Sequence, residues 1–198
     1  MTAQSRKIER SDILPMAEYE KQRNDLKKKL IEIKRDRRVA IGPHATFYFE
    51  NYDTMWAQVH EMLFIERGGE DQIVDELAAY NPLIPQGKEL VATFMIEIDD
   101  PVQREQTLYS LGYIEDKIYM SVNGKKTLAV PEMDVDRTTE DGKTSAIHFL
   151  HFNLSEDQIN AFKKEGAEII IGIEHDSYAH MTKLNEATRR SLSNDFGD

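Results

Sequence analysis

The sequence predicts an α+β fold, a mixed or antiparallel sheet packed by helices, with a basic helical arm at the N-terminus. Three patterns carry this. Residues 89–98 alternate apolar and polar with a period of two, as a half-buried strand does. Residues 118–130 place two strand-like runs around Asn123-Gly124, the dipeptide of a type I′ hairpin turn. Between such strands lie helical segments opened by capping residues, Ser155-x-x-Gln158 among them.

Taken in order, residues 1–10 are polar and expected to fray, Ser11 can cap a short turn, and Pro15 separates that turn from the first long helix. Tyr19, Leu26, Leu30 and Ile33 mark a narrow helical stripe between Met16 and Arg37. Val39–Ile41 and Ala45–Glu50 read as strands around Gly42-Pro43, with Thr46, Tyr48 and Glu50 on one face of the second. Asn51 or Asp53 can cap a helix that Gly68-Gly69 ends, and a further helix spans 71–80 before Asn81-Pro82. After the strand at 89–98, Asp100-Pro101 opens a helix that ends near Gly112. The 118–130 hairpin leads into an acidic loop at 131–143 and a strand at 145–154. The helix opened by Ser155 closes at Gly166, an isoleucine-rich strand fills 167–174, and a polar helix is expected after Tyr178.

The 198 residues contain no cysteine, which excludes disulfides, thiol nucleophiles, cysteine-ligated zinc and self-ligated iron–sulfur clusters. The net charge of −11 is uneven: residues 1–38 hold twelve Lys/Arg against seven Asp/Glu, and residues 39–198 hold thirteen against twenty-nine. This divides the chain into a basic arm, 1–38, and a single acidic α+β domain, 39–198. Such an arm docks onto its own body, a second subunit or a partner, while the acidic body argues against nucleic acid. No apolar run reaches the roughly 18 residues of a membrane span. The polar N-terminus has no apolar signal core, so the expected location is the cytoplasm.

The candidate chemistry centres on residues 37–66. On a helical projection Met55, Trp56, Val59, Met62 and Leu63 share an arc of about 120°, and Glu66 falls inside it. A carboxylate facing a core must be paired, hydrogen-bonded, metal-bound or protonated. An ion pair with Arg37 or Arg38 is one explanation, metal ligation another, acid–base catalysis a third. Gln58 and Glu61 share a neighbouring face, whereas Glu61 and Glu66 lie about 140° apart and cannot readily chelate one ion. His60-Glu61 lacks the second histidine of a zinc-protease motif. His148 and His151 point to opposite faces of their strand and read as hydrogen-bonded structural histidines. His175 and Tyr178 sit at a strand end, a favoured place for a site. A metal-dependent enzyme or sensor would draw on Glu66, Glu61, Glu50, His44 and His175 to hold Fe, Mn or Zn. Phosphate-binding, dinucleotide-binding, nucleophile-elbow and calcium-loop signatures are missing.

Arg37-Arg38-Val39 before Gly42-Pro43, then Phe49-Glu50-Asn51, Thr54, Gln58, Glu61-Met62 and Glu66, resemble the pattern of a bacterial domain-of-unknown-function family. The resemblance continues through Tyr80-Asn81-Pro82, Glu89-Leu90, Ala92-Thr93, Ile96-Glu97, Thr144-Ser145, and His175 with Tyr178; Asp176 stands where the family has a proline. It makes Arg37, Arg38, Glu50, Asn51, Gln58, Glu61, Glu66, His175 and Tyr178 the candidate site. Genes of that family accompany those for rubrerythrin-like proteins and heterodisulfide-reductase-type iron–sulfur oxidoreductases. The resemblance therefore implies a cytosolic accessory or binding protein of a redox or peroxide-defence system, whose partners carry the clusters. Phe64 and Ile65, opposite the main apolar arc, leave a homo-oligomer open as a further expectation.

Overall fold

The computed structural model describes residues 6–132 and 136–197; residues 133–135, within the expected acidic loop, and residues 1–5 of the expected frayed segment lie outside the described residues. Six α-helices and two antiparallel sheets are present among the described residues. The first sheet contains β1 (Arg38–Ile41), β2 (Ala45–Glu50), β3 (Glu89–Ile96), β7 (Ile147–Asn153) and β6 (Val130–Pro131), in that spatial order. The second runs β5 (Lys125–Leu128), β4 (Ile118–Val122), β8 (Ile169–His175) and β9 (Tyr178–Lys183). Their facing apolar sides form one core: Phe47, Phe94 and Phe152 from the first sheet oppose Met120, Ile171 and Ile173 from the second. Helices α4 (Pro101–Ser110), α5 (Glu156–Lys163) and α6 (Glu186–Ser193) contribute Leu108, Phe162 and Leu192 to it.

The other face of the first sheet is packed by α1 (Met16–Arg35), α2 (Tyr52–Glu66) and α3 (Gly69–Tyr80), giving a second core around Tyr19, Trp56, Val59, Leu63 and Val91. Sheet on sheet, with helices behind one sheet, is a layered answer to burying both faces of a strand set. Asn51 caps α2, accepting from the Thr54 amide at 3.0 Å, while Arg67 in a left-handed conformation ends that helix one residue before the expected glycine pair. The β4–β5 turn has positive φ at both Asn123 and Gly124, the type I′ geometry the dipeptide predicts.

Two expectations are corrected. The segment after Tyr178 is an edge strand, and the helix begins only at Glu186 behind its Asn185 cap. Its polar residues reflect one-sided burial at a sheet edge, which a helical reading of composition cannot separate from a solvated helix. Asp176 and Ser177 form the two-residue turn from β8, and Asp176 takes the first corner, where proline is compatible. Nor do residues 6–10 fray: Ile8 is fully buried, and the Asn81 side chain clamps both its backbone amide (2.7 Å) and its carbonyl (3.1 Å). Among the described residues no helix is long and apolar enough to cross a membrane.

Candidate functional site

The residues expected to form one site separate into several. Arg37, buried immediately before β1, uses all five N–H donors: on the carbonyls of Phe49, Glu50 and Ser191, and on both carboxylate oxygens of Asp195. Arg38 is exposed, 3.7 Å from Glu97 and over the Tyr48 ring. Asn51 is consumed as a helix cap. Tyr178 is a tether: its hydroxyl donates to the Ile41 carbonyl (2.8 Å) and accepts from the His44 amide (2.9 Å). Burial raises its pKa, so it stays a neutral phenol. His175 lies 3.2 Å from the Gly112 carbonyl and accepts from the Ser177 amide.

Glu66 departs most from expectation. It is exposed and accepts from Gln72 at 2.8 Å; among the described residues neither Arg37 nor Arg38 pairs with it. The angular position on the helix is as projected, but Glu66 is the last residue of α2, where the chain has left the packed layer. Rotation about an axis does not report distance along it.

Glu61 instead carries the ionic load of the helix layer. It accepts from both sides of the Arg23 guanidinium (2.8 Å each) and from the Tyr19 hydroxyl (2.7 Å), with Lys27 at 3.1 Å. The Arg23 hydrogen bond is the largest of the causes that lower its pKa to about 2. Two of the arm's basic residues thus bind the body's own carboxylate. The metal candidates Glu61, Glu66, His44 and His175 are therefore dispersed. Among the described residues no group of three or more His, Asp or Glu side chains is placed to hold a metal ion.

Glu50 and Gln58 do come together. On the helix-side face of the first sheet, strand register aligns Tyr48, Thr93 and Phe149 in one row, with Glu50 and Val91 in the next and Thr46, Met95 and Ile147 beyond. Part of this face forms the floor of a cavity of about 340 Å³. Met55 and Gln58 of α2 line it from above, with Tyr80 at the end of α3, Leu83 just beyond it, and Lys34 from the last turn of α1. All three helices of the layer and three adjacent strands thus reach one hollow.

The Glu50 carboxylate is the chemical feature of this cavity. It is 94% buried. Oε1 accepts from the Thr93 hydroxyl at 2.8 Å, while Oε2 is buried without a hydrogen-bond partner among the described residues. A larger hollow of about 440 Å³ lies beside the N-terminal turn, with Leu14, Leu63, Phe64 and Ile73 in its walls. Of the charges at its rim, Arg10 and Glu70 pair with one another and Glu20 and Arg67 are exposed, so among the described residues no buried side-chain polar atom in its walls lacks a partner.

Sequence reasoning named Glu50 and Gln58 but missed Lys34, Tyr48, Tyr80, Thr93 and Phe149 as their companions. One signal was present: Tyr48 and Glu50 alternate onto the polar face of a strand whose other face is apolar. Their partners come from elements up to about a hundred residues away, which strand register and helix packing bring together.

No curated protein matches the chain. A crystal structure described as a novel protein of unknown function from Burkholderia pseudomallei K96243 is similar, at 35% sequence identity and a TM-score of 0.90, over 96% of this chain and 100% of that one. The model of the family described as protein of unknown function, DUF3501, matches residues 7–196, and the chain belongs to that family.

Proposed function

We propose that this chain is a binding protein that holds a small molecule in the cavity between its first sheet and its helix layer. We place it in the cytoplasm as an accessory of a redox or peroxide-defence system. The observation that carries the binding reading is Glu50: a buried carboxylate on a cavity wall, with one oxygen bonded by Thr93 and the other without a partner. Such a group costs stability unless a donor meets it, and a ligand supplying that donor offsets the cost. Cavities of this size with apolar walls and few polar groups are the common form of small-molecule site. The accessory setting is supported by the absence of cysteine, which leaves any iron–sulfur chemistry to a partner.

Thermal unfolding against a metabolite library, on wild type and the cavity-filling variant I147W, tests the binding half. A compound that raises the wild-type Tm but not that of I147W supports it, since a ligand stabilises the state that binds it. Library compounds that stabilise both proteins equally, or none that stabilises wild type, overturn it. Co-purification from native cells tests the accessory half. Recovery of a rubrerythrin-like or iron–sulfur partner supports it. No such partner, together with normal oxidant tolerance in a deletion strain, removes it.

A further inference from the structure

We infer that the cavity takes an amphoteric molecule: an ammonium or amidinium nitrogen against Glu50, an anionic group such as a carboxylate toward Lys34, and a short apolar body between. This rests on the cavity being a ligand site. Glu50 asks for a hydrogen-bond donor, and a charged nitrogen is the donor that best compensates a buried carboxylate. Thr93 already supplies the neutral donor on the other oxygen, leaving the charge itself unbalanced.

Lys34 supplies the second half. Among nearby basic residues, Arg35 pairs with Glu32 and Asp36, Arg37 with Asp195, Arg38 with Glu97, and Lys27 with Glu61. Lys34 is half-buried, lines the same cavity as Glu50, and makes no ion pair among the described residues, with Glu50 or any other carboxylate. Two opposite charges that line one hollow without meeting are bridged by a ligand carrying the complementary pair.

The space between them fixes the ligand's body. Met55, Leu83, Met95, Ile147 and Phe149 form the apolar wall. The volume of about 340 Å³ is near the small end of ligand cavities, roughly 300–1,000 Å³. One ring or a short chain fills it. Gln58 and Tyr80 add polar groups that fix orientation rather than charge.

Isothermal titration calorimetry on the full chain with three matched probes tests this: 4-(aminomethyl)benzoate, with both charges, benzylamine, with the cation alone, and benzoate, with the anion alone. The amphoteric probe is expected to bind at least 10-fold more tightly than either of the others. E50Q should reduce its affinity at least 10-fold and bring it level with benzoate; K34M should bring it level with benzylamine. Circular dichroism checks folding, and if E50Q does not fold, the half-exposed K34M carries the test. A single-charge probe binding as tightly as the amphoteric one, variants without effect, or no binding by any probe overturns the inference. The two levels of failure are distinct. If a library compound still loses binding in I147W, only the ligand class falls; if library compounds bind I147W unimpaired, the cavity reading falls with it.

Discussion

Arg37 and Asp195 meet in a buried, bidentate ion pair that joins the start of the first sheet to the last turns of the chain, 158 residues apart. Both side chains are nearly inaccessible, and the remaining guanidinium donors close on the backbone of β2 and α6. The contact therefore locks the C-terminal segment beneath the β1–β2 pair.

Breaking it on one side leaves a buried charge uncompensated. D195A is expected to lose about 3–5 kcal/mol of unfolding free energy, measured by urea denaturation. The paired change R37M/D195L should cost less than the sum of the single changes, because it removes both charges together. A loss of under about 1 kcal/mol for D195A would show that the C-terminal segment is not held this way.

Much of the fold was legible because its signals are local. The Asn123-Gly124 turn, the Ser155–Gln158 capping box and the alternation on β3 each specify an element within a few residues. The site was legible only in part. Glu50 and Gln58 could be named, but Asp195, the true partner of Arg37, lies at the far end of the chain and carries no pattern. Glu66 misled because a helical projection assigns a face without saying where the packed layer ends. The edge strand β9 misled because its extended state comes from pairing with β8 on one side, and composition does not record pairing.

Glu61 predicts an acid-side loss of stability. Arg23, with Tyr19 and Lys27, holds its pKa at about 2, below the ordinary value of 4.5. A depressed carboxylate contributes in full above its unfolded value and loses that contribution as pH falls through its folded value. E61Q is expected to be less stable than wild type by about 1–2 kcal/mol at pH 7, allowing for solvent screening of the partly exposed cluster. The difference should close between pH 4.5 and 2. Parallel stability curves for the two proteins over that window would remove the assignment.

Glu115 and His148 predict the opposite kind of substitution effect. Glu115 Oε2 and His148 Nδ1 are 3.6 Å apart and buried, and neither atom has a hydrogen-bond partner among the described residues. His148 Nε2 lies 2.9 Å from the Ser145 carbonyl, which can only accept, so the neutral ring carries its proton there and turns a lone pair toward the carboxylate. Burial lowers the His148 pKa to about 4 and raises that of Glu115. An amide at position 115 removes the buried charge and offers a donor to Nδ1. E115Q is expected to be more stable than wild type at pH 7 by about 1 kcal/mol. Since a raised carboxylate loses its favourable contribution as pH rises, this advantage should grow above pH 4.5. A destabilised E115Q at pH 7 would show that the ionised form is needed there.

His151 sets the alkaline side. Nδ1 is 2.8 Å from Glu89 and Nε2 is 2.8 Å from Glu132, so the ring can bond both carboxylates only as the doubly protonated imidazolium. Burial alone would lower its pKa, but the two hydrogen bonds and the two negative charges overcome burial and raise it. The clasp ties the start of β3 and the residue after β6 to β7. A histidine raised on folding contributes fully below its unfolded value, about 6.5, and that contribution is lost as pH rises through the folded value. H151Q, which cannot carry the charge, is therefore expected to cost about 1–3 kcal/mol at pH 6 and progressively less toward pH 9. An NMR titration of the His151 ring protons should place its pKa above that of an exposed histidine. A midpoint at or below the ordinary value would mean that one carboxylate is released at neutral pH, and Glu132 would then be free of the sheet.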